Sequence, residues 1–175
     1  DSDINEEIDR LRHAATASLL SRKDVIIIAS VSCIYGIGSI DDYTKLTLHL
    51  KEGEVRKRDK LLRQLNDIQY QRNDISFERG TFRVRGENLD IFPIGEECAY
   101  RIEFFGDEID SIKQIDYLTG EVVAKLGELS IFPAKHYVTP KDQLEKAMAN
   151  IKDEAEERIA WFKDNAKFLI HWNNV

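Results

Sequence analysis

The two ends of the chain carry hydrophobic side chains at helical spacing. In the first such segment, residues 3–21, Asp3 followed by Glu6 forms a capping-box-like start. Its apolar stripe comprises Ile4, Ile8, Leu11, Ala15 and Leu19. The last segment opens with Thr139 as N-cap and Pro140 at the first helical position. Its stripe comprises Leu144, Met148, Ile151, Ala155, Ile159 and Phe162. The pattern therefore predicts a helix at each end of the chain.

The segment between residues 22 and 73 changes character twice. Residues 25–30 form an unbroken run rich in β-branched side chains, which is typical of a strand buried on both faces of a parallel sheet. After a glycine-punctuated loop, Ser39 is the predicted cap of a helix that ends at Gly53, and Asp59 is the predicted cap of a second one. The apolar positions of these two helices are Tyr43, Leu46 and Leu50 in the first and Leu61, Leu62, Leu65 and Ile68 in the second.

From residue 74 to residue 132, hydrophobic and polar positions alternate. The alternating sets are Phe82 and Val84 against Arg83 and Arg85, Leu89 and Ile91 against Asp90, and Tyr100, Ile102 and Phe104 against Arg101, Glu103 and Phe105. Turn sequences at 86–88, 106–107 and 119–120 separate the runs, so the pattern predicts an antiparallel meander with one face buried. The predicted fold class is α+β. Its three parts are an α/β strip at 1–38, an antiparallel sheet module with flanking helices at 39–138, and a long exit helix at 139–175.

Composition narrows the function classes. The formal net charge of −7 disfavours a duplex-binding surface spread over the whole chain. No apolar run approaches the roughly 20 residues of a membrane helix, and no signal peptide opens the chain. Because Met148 is the only methionine, we expect a piece of a longer protein, a processed product or an engineered chain. Cys33 and Cys98 each lie among apolar or aromatic residues, so two buried thiols are favoured over a disulfide.

Motifs for catalysis are missing or weak. No G-x-x-x-x-G-K-[ST] sequence occurs, so no phosphate-binding loop is expected. Asp107 fits a hairpin turn with Gly106, and the acidic residues at 153–156 fit a solvated helix face better than a magnesium site. The four histidines share no ligand spacing, and nothing supplies a base for Cys33. We therefore expect no catalytic residue, cofactor or metal in this chain alone.

The polar face of the predicted meander is the best candidate for a binding surface. Arg83 and Arg85 lie on it about 6–7 Å apart, at two strand rises. Arg101, Glu103 and Phe105 share a face of a later strand. Ordinary solvent exposure would explain the arginines alone, but an aromatic ring on a polar face is typical of an interface anchor.

The predicted hairpin at 106–107 also places Glu103 opposite Asp110. Like charges directly opposite destabilise a sheet, so a nearby arginine or a cation from a partner is expected to compensate. Because acidic residues are interleaved with the arginines, an acidic protein surface is a better partner than DNA.

Five segments of the chain, in this order, resemble the B subunit family of the UvrABC excinuclease. They are residues 2–13, 29–36, 71–75, 79–86 and 101–109. Members of that family are helicase-like proteins that receive damaged DNA from the A subunit, UvrA, and recruit the nuclease UvrC. The resemblance implies that 1–38 is a strip of the first motor domain, after its DNA-binding β-hairpin, and that 39–138 is the UvrA-binding second domain. The exit helix would lead back to the motor, although residues 168–175 depart from the polar segment that the family has there.

The resemblance also implies residues and cofactors. Family residues at the UvrA interface correspond to Arg72, Arg83, Arg85, Arg101 and Glu103. ATP and magnesium are implied for the full-length parent, whose phosphate loop and acidic magnesium motif would lie outside this chain, and a cytoplasmic location follows from the repair role.

Three alternatives remain open from the sequence. The transcription-repair coupling factor has a similar UvrA-binding module, but residues 32–36 and 71–74 favour the B subunit. A direct nucleic-acid-binding helicase fragment is disfavoured by the negative charge and the missing hairpin. The third alternative is a structural module whose arginines are ordinary surface residues.

Overall fold

The computed structural model describes residues 6–34, 37–136 and 141–165. The chain forms two compact units, Asp1–Val138 and Thr139–Val175. The described helices are α1 (Glu6–Ser21), α2 (Ile40–Lys45), α3 (Arg58–Asp67) and α4 (Lys141–Asp164), with a short 3-10 helix at Val31–Ile34. The strands are β1 (Leu48–Lys51), β2 (Gln71–Arg72), β3 (Thr81–Arg85), β4 (Asn88–Phe92), β5 (Ala99–Phe105), β6 (Glu108–Ile115), β7 (Val122–Leu126) and β8 (Glu128–Ile131).

A six-stranded sheet in the order β2-β3-β4-β5-β6-β7 forms the body of the first unit. Strands β3 to β7 are antiparallel neighbours in sequence order, which confirms the predicted meander. Two-residue turns begin at Gly86 and Gly106, whose φ angles of 61° and 64° are the left-handed conformation that such turns require. The short strand β2 adds a parallel edge beside β3, and β1 pairs with β8 in a separate two-stranded sheet.

The main core lies on one face of the large sheet, where α3 packs. Leu61 and Leu65 of α3 are fully buried with residues of β3 to β6. The fully buried strand residues of this cluster include Phe82, Leu89, Ile91, Ile102 and Ile112. Burying side chains of this size contributes about 1.5–3 kcal/mol each, so the apolar half of the alternation fixes which face α3 covers.

The opposite face of the sheet also buries apolar side chains, which the prediction of one buried face did not include. Phe92, Ala99 and Ile115 form a second, smaller cluster there, with Phe77 and Tyr117 packed against it. The ring of Phe92 lies between these two aromatics, 5.7 Å from Phe77 and 4.8 Å from Tyr117 between centroids. The polar face is therefore polar only over part of its area.

The predicted strand at 25–30 is wrong. These residues have no regular secondary structure, and Ile26 and Ile28 are 91% and 96% exposed. A strand that is buried on both faces needs neighbouring strands, and within the described residues this run pairs with none. The thiol of Cys33 in the following 3-10 helix is half-buried, as is that of Cys98, and both are free.

Helix α1 is confirmed, although its predicted capping residue Asp3 lies outside the described residues. Its apolar stripe is not its buried side, because Ile8, Leu11 and Leu19 are each more than half exposed. The buried residue is His13. Next to it, the backbone of Ala14 approaches Gly95 so closely that a Cβ atom at Gly95 would lie 2.8 Å from a main-chain nitrogen.

Helix α2 begins where predicted but ends early. Ser39 accepts a hydrogen bond from the main chain of Asp42 at 3.3 Å, as the capping-box pattern indicated. The helix stops at Lys45, and residues Leu48–Lys51 form a strand instead of its continuation. In α3 the N-cap is Lys57 rather than Asp59, which lies in the first turn.

The second unit contains α4, which confirms a helix in the predicted last segment, while its role as an exit helix leading back to the motor stays a prediction. The acidic residues at 153–156 lie exposed on this helix. Thr139, Pro140 and residues 168–175 lie outside the described residues. None of the described helices combines the length and the apolar character needed to cross a membrane. The boundary between residues 38 and 39 stays a prediction.

Candidate protein-interaction surface

Strand register assembles a row of charged residues across the polar face of the large sheet. Arg83 on β3 pairs with Asp90 on β4, which pairs with Arg101 on β5. The row continues to Lys113 on β6 and Lys125 on β7. The row thus contains four cations and a single carboxylate, and a second row of Arg85, Asn88, Glu103 and Ser111 runs beside it.

Asp90 holds two of these cations in place. Its Oδ1 accepts a hydrogen bond from Arg101 Nε at 2.7 Å, and its Oδ2 accepts from Arg101 Nη2 at 3.1 Å and from Arg83 Nε at 3.0 Å. The Asp90 side chain is only 2% exposed. The hydrogen bond to Asp90 is the main reason that the pKa of Arg101 lies above its ordinary value.

The guanidinium of Arg83 is also covered by an aromatic ring. It lies 4.1 Å from the centroid of Phe77, in a cation–π contact, and its side chain is 12% exposed. A guanidinium has five N–H donors; Arg83 uses one and Arg101 two for hydrogen bonds within the described residues. Both side chains are therefore positioned by the fold and still carry N–H groups that a partner's carboxylate could accept from.

Glu103 is compensated from within its own sheet. Its Oε2 accepts hydrogen bonds from Lys113 Nζ at 2.6 Å and from Ser111 Oγ at 2.7 Å. These bonds, the one from Lys113 first, lower the pKa of Glu103 below its usual range. The expectation that Glu103 faces Asp110 is wrong, because a β-bulge shifts the register and places Ser111 opposite Glu103. The cation that we expected from an arginine or a partner is Lys113.

Two of the predicted site residues are the exposed ones on this face. Phe105, at the end of β5, has 81% of its surface exposed. Arg85 is exposed too, and its side chain makes no hydrogen bond or ion pair with any residue that the structure describes. Its charge still contributes to lowering the pKa of Asp74, whose carboxylate chiefly accepts a hydrogen bond from Val84 N.

Arg72 lies apart from the other predicted residues in the sheet register. It pairs with Phe82, which belongs to the buried face, and its guanidinium donates to Asp74 Oδ2 at 3.0 Å. Asp74 therefore links the exposed Arg72 to the end of β3 that carries Arg85. The structure brings Arg83, Arg101, Glu103 and Arg85 together and places Arg72 at the sheet edge.

Asp90 and Lys113, which hold the charged side chains of this face in place, were not predicted from the sequence. The alternation predicted that Asp90 lies on the polar face, where an aspartate is usually exposed to solvent. Its position between Arg83 on β3 and Arg101 on β5 follows from the strand register. The contact between Lys113 and Glu103 could not be predicted, because it depends on the register of β5 and β6 and on the β-bulge between them. For the rest of the face, which we call the arginine face (Arg83, Arg85, Arg101, Glu103 and Phe105), the period of two was sufficient.

Preset guanidinium groups and an exposed aromatic ring on one sheet face are typical of protein-interaction domains. The chain belongs to the UvrB interaction domain family, whose family model matches residues 48–137. It is 60% identical to the UvrABC system protein B of Clostridium botulinum (strain Loch Maree / Type A3) over 153 residues. It is 59% identical to that of Chloroflexus aggregans over 152 residues and 57% identical to that of Listeria monocytogenes serotype 4b over 153 residues. Each match covers 87% of this chain and 23% of the relative, so the chain spans under a quarter of these proteins.

Proposed function

We propose that this chain is the part of an excinuclease B subunit that docks on the A subunit, UvrA, through the arginine face. The observation that supports this most directly is the position of the six predicted interface residues. Arg72, Arg83, Arg85, Arg101, Glu103 and Phe105 all fall within the segment matched by the interaction-domain family. The parent would thereby be loaded onto damaged DNA and would later meet the nuclease UvrC.

The chemistry of the face favours an acidic partner surface. Asp90 neutralises one of the charges that Arg83 and Arg101 carry, so this trio keeps a net positive charge. Their remaining N–H groups are held in a fixed orientation, which suits bidentate pairing with a carboxylate. Phe105 then supplies the exposed apolar contact that interfaces use as an anchor.

Binding to purified UvrA tests this assignment. We expect Arg85→Glu and Phe105→Ala each to weaken binding at least about tenfold, which corresponds to about 1.4 kcal/mol. Arg85 is the correct residue for charge reversal because it lies outside the Asp90 hydrogen bonds. Glutamate at Arg83 would instead lie against the carboxylate of Asp90 and destabilise the sheet.

Matched controls lie elsewhere on the same unit. Arg63→Glu makes the same charge change on the exposed side of α3, and Leu118→Ala removes an apolar side chain that is 77% exposed. Both variants should bind UvrA like the parent chain. The proposal fails if Arg85→Glu and Phe105→Ala bind as tightly as these controls. Tight, salt-sensitive binding of the chain to duplex DNA would instead favour the nucleic-acid-binding alternative.

The remaining roles of the parent are proposed on the family relationship. The sequence has no phosphate-binding loop, so its residues do not fit ATP, and no step with ATP or magnesium is assigned to them. We propose that the chain binds and does not catalyse, in the cytoplasm where the repair system acts. Measurable ATP hydrolysis by the purified chain would contradict this.

A further inference from the structure

Two histidines from opposite ends of the first unit meet in its interior. The ring centroids of His13, on α1, and His136, after β8, are 3.7 Å apart, with the planes tilted by 32°. His13 is 4% exposed and His136 is 9% exposed. Asp9 lies one helical turn before His13, and its Oδ2 is 3.9 Å from His13 Nε2. Spacing along the sequence gave no sign of this cluster.

One ring nitrogen of the cluster has no hydrogen-bond partner. His136 Nε2 is buried and accepts or donates no hydrogen bond within the described residues. Burial lowers the pKa of His136, and a hydrogen bond with the main chain of Arg12 acts in the opposite direction.

A buried imidazole nitrogen without a hydrogen-bond partner is available to bind a metal ion. A ligating imidazole commonly donates its other N–H to a main-chain carbonyl, which fixes the tautomer and leaves a lone pair on the ligating nitrogen. A buried polar atom without a partner costs about 1–3 kcal/mol, so its presence calls for a bound ion or water. We propose that Asp9, His13 and His136 form a binding site for a divalent transition-metal ion of the zinc type.

The distances suit such an ion. One potential ligand atom from each of the three residues lies within 4.8 Å of the other two. Ligands about 2.0–2.2 Å from a tetrahedral zinc ion lie roughly 3.3–3.5 Å from each other, so the ligand atoms would have to move closer by about 1 Å. The two imidazole rings pack against each other at a tilt of 32°, so binding would also turn one ring out of this contact until both in-plane lone pairs reach the ion. Two imidazole nitrogens with one carboxylate oxygen favour zinc, nickel or cobalt over calcium or magnesium, which prefer oxygen ligands.

Burial and the charges of neighbouring side chains affect how tightly the site would bind a cation. Burial lowers the pKa of His13 to about 4, so its ring is neutral at pH 7 and the contact with Asp9 is not an ion pair. The charges of Arg12 and Lys135 also act on His13 and oppose a cation, while the Asp9 carboxylate favours it. A bound ion would join α1 to the end of the interaction module through residues on both.

Zinc titration of the tag-free, chelator-treated chain tests the site. We expect one zinc ion per chain, a rise in melting temperature with zinc, and Co²⁺ absorption typical of nitrogen and oxygen ligands. Asp9→Asn and His136→Gln should each weaken zinc binding at least about 10–100-fold, the range seen when even indirect partners of a ligand are removed. His49→Gln is the matched control, because His49 is exposed on β1 and contacts Ser130.

Asp9→Asn keeps the test valid if His136→Gln does not fold, because the Asp9 side chain is one-third exposed. The proposal is overturned if the chain binds no zinc up to about 1 mM, or if Asp9→Asn and a folded His136→Gln bind it like His49→Gln. The second outcome would leave an ordered water as the partner of His136 Nε2.

Discussion

Removing the carboxylate of Asp90 should destabilise the whole sheet, although Asp90 lies on the polar face. The Asp90→Ala variant loses hydrogen bonds of 2.7, 3.0 and 3.1 Å and leaves Arg83 and Arg101 without their counterion. Removing one partner of a buried ion pair costs about 3–5 kcal/mol. The two arginine side chains are 12% and 21% exposed, so water can solvate part of each guanidinium, and we expect about 3 kcal/mol.

Thermal unfolding followed by circular dichroism measures this effect. A loss of about 3 kcal/mol corresponds to a melting temperature roughly 6–12 °C lower for a chain of this size. Asp110→Ala is the matched control, since Asp110 is an exposed aspartate on β6 and should change stability by less than about 0.5 kcal/mol. If Asp90→Ala melts like Asp110→Ala, the Asp90 hydrogen bonds do not stabilise the fold.

A combined variant separates charge from packing at the same site. Replacing Asp90, Arg83 and Arg101 together by apolar residues of similar volume removes the buried charge as well as its partners. Such replacements of buried ion pairs are often neutral or stabilising, so much of the loss in Asp90→Ala should be recovered. An equally unstable triple variant would show that shape, and not uncompensated charge, accounts for the loss.

Three further predictions concern single positions in the first unit. Gly95→Ala should lower the free energy of unfolding by about 1–3 kcal/mol, because the added Cβ would overlap the backbone of α1. Gly127→Ala is the control, since a Cβ there meets nothing within 4 Å, and denaturation of both variants measures the difference. Ser39→Ala should cost about 1 kcal/mol through loss of the α2 cap, and a value near zero in the same assay would contradict the cap. The pKa of Glu103 is lower in the folded state than in the unfolded state, so its stabilising effect is present above about pH 4.5 and is lost as the pH falls through the folded pKa. In Glu103→Gln the free energy of unfolding should therefore depend less on pH across that acidic range. The same pH dependence in both proteins would refute this.

The local pattern of hydrophobic and polar residues correctly predicted the strands that pair with the next strand along the chain. The meander from β3 to β7 needs only hairpin pairing, so the period of two and the turn glycines determine it. Helix α3 follows in the same way from the spacing of Leu61 and Leu65, which are both buried. In these segments local preference and tertiary contacts agree.

Elements that depend on distant partners were predicted poorly. Leu46 and Leu50 fit helical spacing, but with Leu48 they also alternate, and pairing of β1 with the distant strand β8 selects the strand. Residues 25–30 have a strand-like composition and no strand beside them among the described residues. The pairing of His13 with His136 likewise depends on how α1 packs against the module, which no local spacing encodes.

Mutations in the proposed interface residues of the arginine face have to be interpreted differently according to burial. Arg83 and Arg101 are held by Asp90 beneath the surface, so a substitution there changes both the fold and the charge that a partner meets. Arg85 and Phe105 are exposed, and their substitution changes only the surface. Loss of UvrA binding therefore identifies a contact only at the second pair, whereas at the first pair it has to be compared with the loss of stability in Asp90→Ala. A binding defect larger than that loss explains would assign Arg83 or Arg101 a direct contact with the partner.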